Sequence, residues 1–376
     1  MSTIDSAKQR FLTQFDHWRQ QGSTGSGALH DLRVAARAQL EVENFPTLKN
    51  EDWKYTSLKS FLDESFQFAP EAQVTKGRLK DRYQIFENGY RIVFINGRFQ
   101  PRLSKLRNLP AGATIQAISQ ISDDQRNQFQ QTLAATGRTA DDIFSQLATA
   151  FLNDGVFIHL THGVKLGQPV QLLYLSQSNP DPYFTAPRNV ILLDADAEAT
   201  VVEHFQGEDD AIYHSNPLTQ IQLNENAHLD HYKLGLESGR AFHVGRIIVN
   251  QARGSHLRNW SLTFGGQLVR NEIDILLDGA GSEVNLNGLY LAQDHQHIDN
   301  QTYIDHASPR AISTENYQGI MGNHGHGVFT GRVLVRRDSQ KTDARQINKN
   351  LLLSPTAQAD TRPQLEIFAD DVKASH

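Results

Sequence analysis

The 376 residues contain no cysteine. That excludes disulfides, thiolate nucleophiles and any metal cluster held by thiolates of this chain. There is no excess of positive charge. The formal net charge of −6 gives no general attraction to nucleic acid, so no nucleic-acid partner is expected. No apolar run approaches the length of a membrane span, so no membrane segment is expected. The opening residues, MSTIDSAKQRF, lack an apolar signal core and arginine richness, which points to a cytoplasmic protein. No GxxxxGK[ST] run exists. Gly322, Gly325 and Gly327 suit a tight bend before a strand at 328–335 better than a phosphate cradle.

What is present is an ordinary globular composition, 39% apolar and 21% charged, in a chain long enough for more than one domain. Ile4, Ala7, Phe11, Phe15 and Trp18 recur every three or four residues and predict an amphipathic helix. The GSTGSG run after Gln21 breaks it. Leu29, Leu32, Ala36 and Leu40 predict a second helix ending before Pro46. The aromatic, charged segment Asn50–Phe61 is expected to pack this helical region onto the rest of the chain. Near Tyr83 the pattern changes. Residues 91–95 read as a strand, and Asn96-Gly97 is a two-residue turn signal. Residues 123–151 read as helical again. Three regions result: a helical one over 1–82, a mixed connecting one over 83–154, and a β-rich one over 155–376.

The β-rich region repeats. Ala199-Thr200-Val201, Ala227-His228-Leu229, Ser255-His256-Leu257 and Ser282-Glu283-Val284 each place a small residue two before an apolar one. Their steps are 28, 28 and 27 residues, which signals a stacked solenoid. Leu218, Ile221, Leu223 and Asn226 fit a leucine-rich repeat. The other units lack its leucine ladder and helical half, and β-branched runs with polar corners favour a β-helix.

Chemistry-bearing residues are sparse. The histidines cluster in AQDHQHIDNQTYIDH and GNHGHG. His295, His297 and His306 are candidate metal ligands, since residues i and i+2 of a strand share a face. A row of exposed or hydrogen-bonded histidines is the plainer alternative. Asp370 and Asp371 are adjacent, face opposite ways on a strand, and cannot share a substrate there.

Taken together, NEDWKYTSL, HIDNQTYIDH, STENYQG, GVFTGRVLV, QKTDARQINKNLLLS and RPQLEIFADDVKASH resemble the SufB/SufD family of iron–sulfur cluster assembly scaffolds, most closely its SufD branch. The resemblance implies a mainly β protein, a right-handed parallel β-helix with an N-terminal α-helical region. It implies a non-catalytic scaffold that pairs with a SufB-like subunit and a SufC-like ABC ATPase. It implies no stably bound cofactor on this chain alone, and transient iron or a nascent iron–sulfur cluster at the SufB contact. His376 matches the terminal His of the family's DDVKxSH motif and is the candidate ligand. Asp370, Asp371, Lys373 and Ala374 are the candidate interface residues around it. Ala374 stands where some members carry Cys, so a thiolate must come from SufB. The family continues past this His into a GAT-type segment and a C-terminal helical region that docks SufC. The sequence stops at His376, which implies a shortened chain and puts SufC docking in question. Alone, such a chain is expected to be able to pair with itself through a sheet edge. The competing readings are a polysaccharide-acting β-helix enzyme and a stand-alone His-rich metal-binding enzyme.

Overall fold

The computed structural model describes residues 3–20, 28–70, 83–135 and 142–376. The GSTGSG run, residues 22–27, lies outside them. The protein is mainly β, 46% strand and 17% helix, with a solenoid of about eight turns. Two sheets form its walls. One runs from Gly155–Leu160 through successive strands to Gln358–Ile367, and the other from Tyr90–Ile95 to Lys373–Ser375. Neighbouring strands are parallel within each wall. Antiparallel pairs occur where the solenoid starts. Tyr90–Ile95 folds back on Arg98–Phe99 through Asn96 and Gly97, whose φ values of 47° and 74° make the predicted turn.

The rungs are less regular than a fixed period. Phe242 stands beside Leu268, 26 residues on, and Gly155 beside Arg188, 33 residues on. One tight corner recurs in left-handed backbone, at Asp196 (φ 59°), Asn226 (55°), Gly254 (63°) and Gly281 (69°). Asn, Asp and Gly tolerate that region best. The residue after each corner is fully buried and small: Ala197, Ala227, Ser255 and Ser282. Leu229, Leu257 and Val284 stack as the sequence predicts. Val201 does not join that row. Ala199 stands beside Leu229, and Val201 stands beside His231 and Val170. This step is 30 residues, so assuming a 28-residue period selected a position two residues too far along the same face.

Five α-helices are described. Thr3–Gln20 (α1) and Ala28–Val42 (α2) match the two predicted near the start. Lys59–Asp63 (α3) is one turn. The helical stretch over 123–151 is two helices, Asp123–Ala135 (α4) and Ile143–Ala150 (α5). Asp142 caps α5, its Oδ1 accepting from the amides of Phe144 and Ser145. Phe11, Phe15, Trp18, Phe61, Phe144 and Phe151 pack together against Phe184 and Phe242 of the solenoid wall.

The NEDWKYTSL segment fastens this helical layer. The guanidinium of buried Arg270 lies 4.0 Å from the Trp53 ring centre. Its Nη1 donates to the Asp52 carbonyl at 2.9 Å and to the Asp299 carboxylate at 2.5 Å. The Thr56 hydroxyl donates to Asp299 Oδ2 at 2.6 Å. Burial alone would lower the Arg270 pKa. The Asp299 and Glu272 carboxylates more than offset this and raise it.

Candidate functional site

The last rung carries the residues singled out by the family resemblance. The run LEIFADDV reads as one strand over 365–372 in the sequence, but the long strand ends at Ile367, and residues 368–372 form the bend into the short strand Lys373–Ser375. A strand running on through 372 could not turn to the other wall. The bend is held by its neighbour rung. The Lys341 amide, in left-handed backbone at φ 64°, donates to the Asp371 carbonyl at 2.7 Å, and the two side chains form an ion pair. The Asp371 amide donates to Gln340 Oε1 at 2.9 Å. Asp370 is exposed.

Lys373, Ala374 and Ser375 stand beside Asp343, Ala344 and Arg345. Ala374 continues an inward row through Ala344 and Ser313. By strand alternation His376 falls on the same face, one position past Gln346 and Glu315 in that direction, and it is exposed. Two strands at this end, Gln358–Ile367 and Lys373–Ser375, have no partner on their outer edges among the described residues. Exposed apolar side chains surround the end: Ile347, Leu351, Leu352, Leu353 and Phe368.

The three candidate histidines are not brought together. His297 and His306 occupy opposite ends of one ten-residue strand. His306 is buried inside the solenoid, with Nε2 2.9 Å from the Ser313 hydroxyl, and burial lowers its pKa to about 4. His297 lies on the outer face, with Nε2 2.9 Å from the Thr56 hydroxyl. Since Thr56 donates to Asp299, His297 Nε2 is the donor in that contact. Burial lowers the His297 pKa to about 4 as well, so it is a neutral part of the NEDWKYTSL clamp. His295 sits in an exposed corner, its ring parallel to that of His324 at 5.0 Å. Among the described residues no group of three or more His, Asp or Glu is arranged to hold a metal.

Sequence reading missed the polar interior. Glu203, His231, Lys233 and Glu315 all lie inside the solenoid. Glu203 Oε1 accepts from Thr219 at 2.6 Å and lies 3.2 Å from His231 Nε2, whose Nδ1 is 2.8 Å from Asn259 Nδ2. Lys233 donates to Asn271 at 2.7 Å, and burial lowers its pKa to about 8. Glu315 accepts from Thr302 at 2.6 Å and Gln346 at 3.4 Å, and burial pushes its pKa up to about 7. The available signal was alternation: each of these side chains occupies an inward position in the strand pattern.

Similarity to known proteins covers both layers of the fold. Residues 174–376 match the family described as SUF system FeS cluster assembly, SufBD core domain, and residues 5–172 match the SufBD protein N-terminal region. An iron–sulfur cluster assembly SufBD family protein of Synechocystis is 28% identical over 363 residues, covering 94% of this chain and 80% of that protein. The iron–sulfur cluster assembly protein SufD of Escherichia coli is 29% identical over 341 residues, covering 90% and 77%. A chloroplastic protein of Arabidopsis thaliana, ABCI7, is 27% identical over 358 residues, covering 93% and 74%.

Proposed function

Because this chain belongs to the SufBD family of iron–sulfur cluster assembly proteins, we propose that it serves as a non-catalytic scaffold subunit that pairs with a SufB-like subunit and a SufC-like ABC ATPase. What supports this is the pair of family matches along the chain, together with the DDVKxSH match that includes His376. A neutral imidazole at the contact with the SufB-like subunit is a suitable iron ligand. This chain has no cysteine, so sulfur ligands for the nascent cluster come from the partner. The cluster is cargo here, held transiently and passed on. A cytoplasmic setting accompanies this reading, and no helix among the described residues is long and apolar enough to cross a membrane.

The test is His376→Ala in the native gene. Its exposed side chain is not part of the core, so folding and co-purification with the SufB-like and SufC-like subunits should be retained. Cluster-dependent enzyme activity in cells relying on this pathway should fall by roughly 10-fold, the scale of losing one metal-site group. Full activity would remove His376 from the site. Failure to co-purify even the wild-type chain with those subunits would overturn the complex itself.

A further inference from the structure

The helical layer packs on the first wall. On the second wall, Tyr83 and Leu103 pack over Leu173 and Leu175 of the early strands. Farther along, apolar side chains on its outer face reach solvent. Leu229, Leu257 and Val284 point inward, so strand alternation aims Leu234, Leu262 and Leu289 outward. These three leucines stand side by side and are half-buried. Tyr232 and Trp260, two residues earlier on their strands, form a rim on one side. Phe264, Leu291 and Ile320 form the other rim. Leu291 stands beside Ile320, and Phe264 follows Thr263, the neighbour of Tyr290. Trp260 and Phe264 are each 40% exposed. Four residues of strand set these two rims about 13 Å apart, and the strip crosses four strands, about 14 Å. A helix is about 10–12 Å wide with a pitch of about 5.4 Å, so two to three turns fit between the rims.

We propose that this face is a docking groove for one amphipathic helix of a protein partner, with Leu-type side chains laid on Leu262 and Leu289 and Lys or Arg along one flank. The strands here are paired on both sides, so a partner cannot add a strand and must lay side chains on the face. The charge of the flanks fixes the partner's chemistry. Beyond Tyr232 and Trp260, Asp230 is neutralised by a two-pronged hydrogen bond from Arg258. Beyond Phe264 and Leu291, the corners carry Glu208, Asp209, Asp210 and Asp294, and among their described residues Arg240 is the only lysine or arginine. Glu208 accepts from the Ser178 amide and Asp294 from Asn323, both neutral donors. A cationic flank on the helix complements that side alone, which also sets the direction in which the helix faces. The groove is independent of the scaffold reading, since neither His376 nor the strand that carries Ile347 forms part of it.

The experiment uses the isolated chain and a synthetic peptide of about 16 residues, long enough to hold a helix in water. It carries Leu at i, i+3, i+4 and i+7 and Lys along one flank. A permuted peptide of the same composition, without the apolar face, is the control. The wild type should bind the first peptide saturably at one equivalent in calorimetry, and the control at least ~100-fold more weakly. Tryptophan emission should shift to the blue, because Trp260 is exposed whereas Trp18 is buried. Trp260→Phe should lose that shift. Leu262→Asp with Leu289→Asp should weaken binding at least ~100-fold. Leu262→Ser with Leu289→Ser should weaken it in the same direction if the acidic pair fails to fold by circular dichroism. Asp209→Asn with Asp210→Asn should weaken it roughly 5-fold at low salt and less at high salt. Ile347→Asp, on the last rung, should leave it unchanged. Equal binding of the two peptides, or undiminished binding by the folded Leu262/Leu289 variants, would overturn the proposal. So would sedimentation showing a wild-type dimer that the Leu262/Leu289 variants convert to monomer, which would make a second copy the occupant.

Discussion

Glu315 occupies a place where an ionised carboxylate is costly. It is fully inside the solenoid, where its two hydrogen-bond donors, Thr302 and Gln346, are both neutral. Its folded pKa of about 7 stands above the ordinary 4.5. Below pH 4.5 both folded and unfolded chains hold the proton, and the residue carries no charge penalty. Between 4.5 and about 7 the unfolded chain gives up its proton first, so stability falls as pH rises. The difference corresponds to on the order of 3 kcal/mol once pH exceeds 7. Glu315→Gln should therefore match the wild type near pH 4.5 and exceed it at pH 8 in urea unfolding. A gap that does not change with pH would assign the residue a fixed charge. Thr56 makes the complementary point for a neutral group. Thr56→Val removes one hydroxyl that both accepts from His297 and donates to buried Asp299. Leaving those partners unsatisfied should cost about 1–3 kcal/mol, read as a lower unfolding midpoint in the same assay.

The elements were legible to different depths. The amphipathic spacing of Phe11, Phe15 and Trp18 marks α1 because one helical face is buried and the other is wet. Asn96-Gly97 marks a turn because few other residue pairs adopt its backbone. The solenoid was legible from the small residue after each corner, but its exact register was not. Ala199 and Val201 point to the same face, and a slip of two residues changes no alternation. The bend at 368–372 was hidden because Leu365, Ile367, Phe368 and Val372 read as one apolar run, although Val372 falls out of step with Leu365 and Ile367. The polar interior was hidden because polar residues are ordinarily read as outward. Only their inward parity and their partners across rungs reveal Glu203, His231 and Glu315. The motif match named His376 as the candidate, whereas the histidine spacing grouped His295, His297 and His306, which the fold separates. Two substitutions probe these elements. Leu257, buried between Leu229 and Val284, should not tolerate Asp. Leu257→Asp places a charge without a partner in the stack and should cost more than about 4 kcal/mol, enough to abolish cooperative unfolding. Arg270→Met leaves Asp299 and Glu272 without their shared cation and should cost about 3–5 kcal/mol. Limited proteolysis should then cut the Asn50–Leu58 segment faster than in the wild type, because its contacts through Trp53 and the Asp52 carbonyl are gone.

For the whole molecule, the decisive contrast is between its two ends. Helices α1, α2 and α5 and the Phe-rich layer cover the outer face of the first wall as far as Phe242 and Leu268. At the last rung two strand edges and the side chains of Ile347, Leu351, Leu353 and Phe368 are uncovered among the described residues. Ile347 and Leu351 lie four apart on one strand, facing outward beside Asn316 and Ile320, with Lys349 between them, so this strip holds two apolar side chains on either side of a cation. Under the scaffold reading this strip belongs to the contact with the SufB-like subunit, where burying each side chain contributes about 1.5–3 kcal/mol. Ile347→Asp combined with Leu351→Asp should leave the melting temperature of the isolated chain within about 2 °C of wild type, because both positions are already half exposed. The same pair should weaken association with the SufB-like subunit at least ~100-fold in sedimentation or co-elution measurements, since it replaces apolar burial by two desolvated charges. Concentration-dependent self-association of the isolated chain should fall in parallel if copies use that same strip. An unchanged affinity for the SufB-like subunit would move the contact away from this strip. The exposed side chains would then need another occupant, and His376 would lie outside the subunit contact.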